Sequence, residues 1–312
     1  MCPRSACGNR EKLEAVMKIY TTRDKIFVAC NYIFLSILLV IIAYPLLLIV
    51  SSSFSSPQAV VSGKVKLFPV DFSLEGYKAI LGYQDIWVGY ANTIFYTTFG
   101  TLLNLFMTII AAYPLSRPDF KAKNLVMVLF TITMFFSGGM IPSYLAMNSM
   151  GLLNNRLVMI LPSAMSVYDV IITRTFFQSS IPKELLESAK LDGCSDFNFI
   201  LKIVIPLSGA IIAVNALFYA VGHWNSYFNA FLYLTDANKM PLQIKLRTVL
   251  VLNQMDITMF GSADPTMMDK KAELAQLIKY ALIIVANGPI LCIYPFVQKF
   301  FIKGVMIGSL KG

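Results

Sequence analysis

Long apolar segments separated by more polar connections dominate the chain. The segment "NYIFLSILLVIIAYPLLLIV" (31–50) does not alternate between apolar and polar residues, so it disfavours barrel strands and favours a membrane-spanning α-helix. Run length predicts six spans, near residues 26–51, 91–116, 125–147, 156–177, 203–228 and 279–300. The pattern therefore predicts an all-α integral membrane protein with six transmembrane helices. The first apolar run begins at Ile26 and is too long for a signal-peptide core, so we expect it to remain as an anchor.

Composition supports this class of protein. The chain is 57% hydrophobic and 14% charged, whereas soluble domains usually carry about 25% charged residues. Its net charge of +9 could indicate nucleic acid, but Lys and Arg also accumulate on the cytoplasmic loops of membrane proteins. We therefore expect contact with membrane lipid and no binding of nucleic acid.

The distribution of Lys and Arg predicts the orientation. Most of the 26 Lys and Arg residues fall in the segments that would share one side with the N-terminus, including the polar insert after the fourth span. Because positive charge favours the cytoplasmic side, we expect both termini to be cytoplasmic. This divides the chain into a cytoplasmic N-terminal segment (1–25), a six-span transmembrane domain (26–300) and a cytoplasmic tail (301–312).

The polar insert, "PKELLESAKLDGCSDFNFILKIVIP" (182–206), is the most informative stretch of the chain. Its seven charged residues stand between two apolar runs. Pro182 suits the start of a helix, Gly193 suits a left-handed helix end, and Ser195 can begin a second helix. We expect two short helices joined by a sharp bend. Such an amphipathic element could rest on lipid headgroups or dock into a groove on a cytoplasmic partner.

The insert resembles the EAA signature of ABC-importer permeases. That signature reads E-A-A, three residues, G, nine residues, I, one residue, L-P. Five positions match at the same spacing: Glu187, Ala189, Gly193, Ile203 and Pro206. The departures are Ser188 for the second small residue and Ile205 for Leu, and both change side-chain volume little.

The resemblance extends along most of the chain. "IPSYLAMNSMGLLNN", "RTFFQSSIPKELLESAKLDG" and "WNSYFNAFLYL" are similar to the MalG-type sugar permeases. The ending "YPFVQKFFIKGVMIGSLKG" resembles an LplC-like subgroup associated with lipo-oligosaccharide or aldouronate uptake, mostly in Gram-positive bacteria.

This resemblance implies a type I ABC importer permease in the cell membrane of a bacterium, with a cytoplasmic coupling-helix loop at 178–206. It implies that the chain translocates a carbohydrate, in our interpretation an oligosaccharide, that an extracellular solute-binding protein delivers. The implied partners are nucleotide-binding ATPase subunits and a second permease subunit that forms a heterodimer with this chain. The five matched residues would couple to the ATPase, which would bind ATP and Mg, while this chain would bind no cofactor.

Other classes of function fit the sequence less well. The chain has no G-x-x-x-x-G-K-[ST] loop, so we expect another subunit to bind the nucleotide. An enzyme would need a convergent set of titratable groups, and a chain with one histidine and no regular cysteine spacing indicates neither a catalytic nor a metal site. The alternative is a secondary solute transporter, which would be expected to have inverted repeats and several charges within the membrane.

Four residues are candidates for a substrate path. Trp224, Asn225 and Tyr227 lie at the predicted outer end of the fifth span, where the aromatic rings could stack on a sugar or belong to an interfacial belt. Asp169 lies within the predicted fourth span, where it could line a cavity or pair with Arg174.

Overall fold

The computed structural model describes residues 22–251, 273–293 and 295, and within these ranges the fold is entirely helical. The helices are α1 (Thr22–Ser53), α2 (Pro57–Val61), α3 (Glu75–Leu81), α4 (Gln84–Ser116), α5 (Lys123–Phe135), α6 (Met140–Ser149), α7 (Val167–Ser180), α8 (Lys183–Leu191), α9 (Asp196–Leu207), α10 (Gly209–Trp224), α11 (Phe228–Tyr233), α12 (Leu242–Val251) and α13 (Glu273–Ile293). Short 3₁₀ turns cover Arg156–Met159 and Ala237–Lys239.

Three of these helices, α1, α4 and α13, are each long and apolar enough to cross a membrane. They correspond to the first, second and sixth predicted spans. The end of the sixth predicted span (296–300), residues 1–21 of the N-terminal segment and the predicted tail (301–312) lie outside the described residues.

The third and fifth predicted spans are bent rather than straight. Helices α5 and α6 meet at 112°, and α9 and α10 meet at 83°. Helix α5 ends at Phe135, and in the break that follows Gly139 has φ +86°, a conformation that side chains with a Cβ rarely adopt, directly before α6 begins. If each bent pair is one span, five spans are present in the described part of the chain.

The fourth predicted span (156–177) is interrupted by its own caps. The Asn155 side chain accepts from the Leu157 N–H and begins a 3₁₀ turn, and the Ser166 side chain accepts from the Asp169 N–H and begins α7. Helix α7 has only 14 residues. The predicted single span is therefore two short helical segments in the structure, because side-chain acceptors and Pro162 favour a break between them.

Helix α4 is the centre of the bundle, and its most extensive contacts are with α10 and α7. By contrast, α1 is exposed along nearly its whole length and buries only Ser51, Ser52 and Ser53. A predominantly apolar helix of this length that is exposed over most of its surface fits a hydrocarbon environment. Helices α4 and α7 end at the same end of the bundle, where α8 and the start of α9 lie, and we call this the insert end.

Candidate functional site

The insert folds as two helices joined by a tight bend. Helix α8 ends at Leu191, and Gly193 follows with φ +74°, which confirms its predicted left-handed conformation. The Cys194 N–H donates to the Ala189 carbonyl at 2.9 Å and closes the turn. The Ser195 side chain then accepts from the Asn198 N–H and begins α9, as the sequence predicts.

Helix α8 has one face against its own protein and one face open. Ala189 is buried, and Leu186 packs beside it on the core formed by α4, α7 and α9. The other face carries Glu184 and Glu187, which are exposed, and the helix ends at Leu191, whose exposed fraction is 89%. The small Ala189 therefore permits close approach within this chain, and a partner could reach only the opposite face.

A group of charged side chains ties the insert to the end of α4. We call Arg117, Asp119, Lys190 and Asp196 the Arg117 clamp. The Arg117 guanidinium donates to both carboxylate oxygens of Asp119, at 2.8 and 2.6 Å, and to Asp196 at 2.5 Å. It also donates to the Tyr113 hydroxyl at 2.8 Å, while the Lys190 ammonium lies 3.4 Å from Asp119.

The electrostatics of the clamp favour the ionised forms. Hydrogen bonds from the Arg117 guanidinium hold the pKa of Asp119 well below its usual range. The hydrogen bond to Asp119 in turn raises the pKa of Arg117, although burial of the guanidinium opposes that shift. The Arg117–Asp119 pair therefore stays charged at neutral pH.

A cavity of about 330 Å³ lies beside the clamp at the insert end. Its walls come from the end of α4, the end of α7 and the start of α8, and they include Arg117, Phe177, Lys183 and Leu186. The first turn of α8 is thus incompletely packed against the bundle.

The remaining EAA residues lie on α9. Residues Ile200–Val204 form a π-helical turn, and Ile203 in that turn packs on the same core of α4, α7 and α9 that Ala189 contacts. Pro206 is exposed and precedes the 83° bend into α10. The insert therefore continues into a core helix through a short, bent segment rather than through a loop.

A buried line of neutral hydrogen bonds joins the core helices, and sequence reasoning missed it. We call this the polar seam: Asn104 and Thr108 on α4, and Asn215, Tyr219 and His223 on α10. His223 Nε2 lies 2.7 Å from Asn104 Oδ1, and the Thr108 and Tyr219 hydroxyls are 2.7 Å apart. His223, in the last turn of α10, is thus a buried residue that joins two core helices.

The seam extends to α7 and to the segment before it. The Asn215 amide donates to the Thr173 hydroxyl at 2.6 Å, and the Asn104 amide donates to the Ser163 carbonyl. The i, i+4 spacing of the seam residues on each helix was a readable signal for one shared polar face.

The four candidates for a substrate path do not form one site. Asp169 is buried beside Tyr219, and no hydrogen bond to its Oδ1 is present among the described residues. Arg174 instead donates to the Leu115 carbonyl at 2.9 Å, so the described structure contains no Asp169–Arg174 pair.

The other three candidates differ in exposure. Trp224 is buried and donates to the Ala286 carbonyl of α13 at 2.9 Å, so it packs two helices together. Tyr227 is exposed, and its ring forms an edge-to-face pair with the ring of Phe228. Asn225 is exposed and accepts from the Gln243 amide at 3.4 Å. Of the four candidates, only Asn225 and Tyr227 are exposed enough to contact a solute in this conformation.

In the part of the chain that the structure describes, no three His, Cys, Asp or Glu side chains are grouped so that they could hold a metal ion. The arrangement at the insert end is suited to mechanical contact, because it combines an open amphipathic face, a rigid bend and a direct connection to the core.

Comparison with known proteins identifies the family. No family model matches the chain. It is 41% identical over 293 residues to the polygalacturonan/rhamnogalacturonan transport system permease protein YtcP of Bacillus subtilis (strain 168). This match covers 93% of this chain and 100% of YtcP. It is also 41% identical over 292 residues to protein LplC of the same organism, covering 94% of this chain and 97% of LplC.

A solved structure agrees with these relatives. A bacterial ABC transporter involved in the import of the acidic polysaccharide alginate contains a chain that is 33% identical to this one, with a TM-score of 0.84. The match covers 91% of this chain and 99% of that chain. The chain therefore belongs to the family of ABC importer permeases, and it is a multi-pass membrane transport subunit rather than an enzyme.

Proposed function

We propose that this chain forms part of the pathway by which a carbohydrate, in the form of an oligosaccharide, enters a bacterial cell. An extracellular solute-binding protein delivers the sugar, and a second permease completes the pathway as a heterodimer. Two ATPase subunits on the cytoplasmic side bind ATP and Mg and supply the energy. Two relatives support a carbohydrate as the cargo: YtcP is a permease of a polygalacturonan/rhamnogalacturonan transport system, and the structural neighbour belongs to a transporter involved in the import of alginate.

The observation that carries this proposal is the division of α8 into two faces. A helix that rests on lipid must turn its apolar side to the membrane. Here the apolar residues Leu186 and Ala189 are already occupied by the core of the chain. The face that remains carries the charges of Glu184 and Glu187 beside the exposed Leu191, a mixture that suits a groove on a protein partner better than the hydrocarbon of a membrane. This favours docking on an ATPase over the lipid-resting alternative.

The mechanism follows from how the insert joins the bundle. Closure of the two ATPases would move α8, and the compact turn at Gly193 limits how much of that movement the chain can absorb. The movement would pass along α9 to the bend before α10, so that the core helices tilt, close the inner side of the pathway and open the outer side. Release of hydrolysis products would reverse the tilt.

The proposed orientation follows the distribution of charge. Lys183, Lys190 and Lys202 lie on the insert, and positive charge favours the cytoplasmic side. The insert end would then be cytoplasmic, together with the segments 1–25 and 301–312, and six spans would lie between them. The coupling loop 178–206 includes Glu187, Ala189, Gly193, Ile203 and Pro206, of which Glu187 is the exposed side chain on the open face of α8.

The test is co-purification of partners with the tagged chain from its native membrane in mild detergent. We expect an ATPase, a second permease and a binding protein to be recovered with the unchanged chain and identified by mass. Glu187→Lys and Leu191→Asp alter the open face of α8, and each should reduce recovery of the ATPase. The carbohydrate retained by the recovered binding protein identifies the cargo.

A matched control is Glu75→Lys, which makes the same change of charge at an exposed position on α3, away from the insert. We expect it to leave recovery of the ATPase unchanged. Equal recovery from all variants would contradict docking on α8. A chain that is recovered without any ATPase would contradict the proposed function itself.

A further inference from the structure

The insert contacts the rest of the protein through two kinds of interaction. Apolar contacts are made by Ala189 and by Phe199, which lies near the ring of Tyr113. Charged contacts are made by Lys190 and Asp196 with the end of α4 and the turn after it. A cavity of about 330 Å³ lies under the first turn of α8, so apolar contacts join only part of that helix to the bundle.

Arg117 is the residue on which the charged contacts converge. It follows the last residue of α4, and its side chain reaches Tyr113 on α4, Asp119 in the turn and Asp196 on α9. One guanidinium therefore links three segments. The fork geometry of arginine allows this, because its nitrogens donate in fixed directions within one plane.

Burial distinguishes this cluster from an ordinary surface ion pair. Exposed pairs contribute little, because water screens them and both side chains must be ordered. The Arg117 side chain is only 11% exposed, and it lies over the Tyr113 ring with its central carbon 5.6 Å from the ring centroid. Its position is thus fixed by packing as well as by charge.

The end of α4 is in turn fixed to α7. The Arg174 guanidinium donates to the Leu115 carbonyl, two residues before Arg117. A displacement of Asp196 would therefore reach α4 through Arg117 and α7 through that carbonyl, in addition to the covalent path through α9 and α10.

We propose that Arg117 is a positioning residue that transmits movement of the insert to α4, so that the two core helices α4 and α10 move together when the partner moves α8. This inference rests on the proposed function. Without Arg117, the insert would still dock on its partner, but its movement would reach α4 only through the apolar contacts of Ala189 and Phe199 and, by way of the bend, through α10.

The test uses the whole complex in proteoliposomes, and it measures both ATP hydrolysis and uptake of the carbohydrate carried by the binding protein. For Arg117→Ala we expect uptake per ATP hydrolysed to fall roughly tenfold, because several charge-assisted hydrogen bonds are lost at once. Recovery of the ATPase with the tagged chain should stay within about twofold of the unchanged protein, because the open face of α8 is intact.

Three further variants separate transmission from simple structural support. Arg117→Lys keeps the charge and should restore part of the lost uptake. Asp196→Asn removes one exposed partner, leaves the Arg117–Asp119 pair and should give a smaller loss in the same direction. Lys121→Gln removes an exposed cation from the same turn and should change neither quantity.

The outcomes are distinct. Uptake that falls while hydrolysis and ATPase recovery persist supports the inference. Uptake and hydrolysis that fall in proportion, or that stay unchanged in Arg117→Ala and Asp196→Asn, overturn it. Failure of the proposed function would be recognised before these variants are compared, because the chain without any substitution would then recover no ATPase in the co-purification.

Discussion

The Arg117 clamp and the polar seam hold the same helix by different chemistry. The clamp lies at the insert end of α4 and uses charged groups, with Asp119 and Asp196 more than half exposed. The seam lies along the middle of α4 and uses neutral groups, with Asn104 and Thr108 fully buried.

The difference reflects the solvent of each region. Charges in hydrocarbon are expensive, so links between helices inside a membrane favour neutral amide, hydroxyl and imidazole groups. At the edge of the bundle, water can reach the carboxylates, and long cationic side chains can connect separate segments. The seam therefore suits a fixed helix contact, and the clamp suits a contact between parts that move.

The largest effect on stability should come from adding a side chain at Gly100, which packs directly against the His223 ring of the seam. A Cβ at Gly100 would lie 2.4 Å from His223 Nε2, so Gly100→Val must displace the imidazole and break its bond to Asn104. We expect a loss of at least about 3 kcal/mol in unfolding free energy, from overpacking together with an unpaired buried polar group. An SDS titration in mixed micelles measures it.

The control is Gly222→Ala on α10, next to His223, where a Cβ would meet no atom within 4 Å. It should be neutral or stabilising by up to about 1 kcal/mol, because alanine favours helix. Equal losses of unfolding free energy in Gly100→Val and Gly222→Ala would show that the contact between Gly100 and His223 is not what makes the first change costly.

A smaller effect should come from removing one partner of the seam. Asn104→Leu leaves the His223 imidazole and the Ser163 carbonyl without this partner, and we expect it to cost about 1–3 kcal/mol. The double variant with His223→Leu should cost less than the sum of the two single changes, since it removes both sides of the pair. Additive losses in the same titration would contradict a direct interaction.

At the insert, the backbone turn should be more sensitive than any single charge. Gly193→Ala forces a Cβ into the left-handed region and should cost roughly 1–2 kcal/mol locally. Hydrogen exchange of the Cys194 amide, which closes the turn, should become faster while the seam amides stay protected. Gly193→Asn should be milder, because asparagine tolerates this conformation. Identical exchange in the two variants would argue against strain at this residue.

The smallest effects should be those of salt and pH on the clamp. The cost of Asp196→Asn in unfolding free energy should be below about 1 kcal/mol and should shrink in high salt, whereas the cost of Asn104→Leu should not.

The pKa of Asp119 is lower in the folded protein than in the unfolded chain. Its contribution to stability is therefore complete above the pKa of the unfolded chain and is lost only as pH falls through the lower pKa of the folded protein. We therefore expect this contribution to be constant from about pH 5 to 8. A titration within that range would contradict the assignment.

Much of this protein was predictable from the sequence. The lengths of the apolar runs predicted a helical membrane protein, because the free energy of transferring a helix into a bilayer depends on its own side chains. The bend at Gly193 and the second helix from Ser195 were also predictable, since left-handed backbone and side-chain caps are local properties. The EAA pattern identified the family by the same local route.

The tertiary structure decided what these elements contact. Arg117 and Asp196 are 79 residues apart in the chain, and Asn104 and His223 are 119 residues apart, so no local pattern pairs them. The open face of α8 and the burial of Trp224 were likewise undetermined until the helices were packed. Apolar run length measures affinity for the membrane and carries no information about which polar side chains meet across helices, because that depends on helix order, rotation and bending.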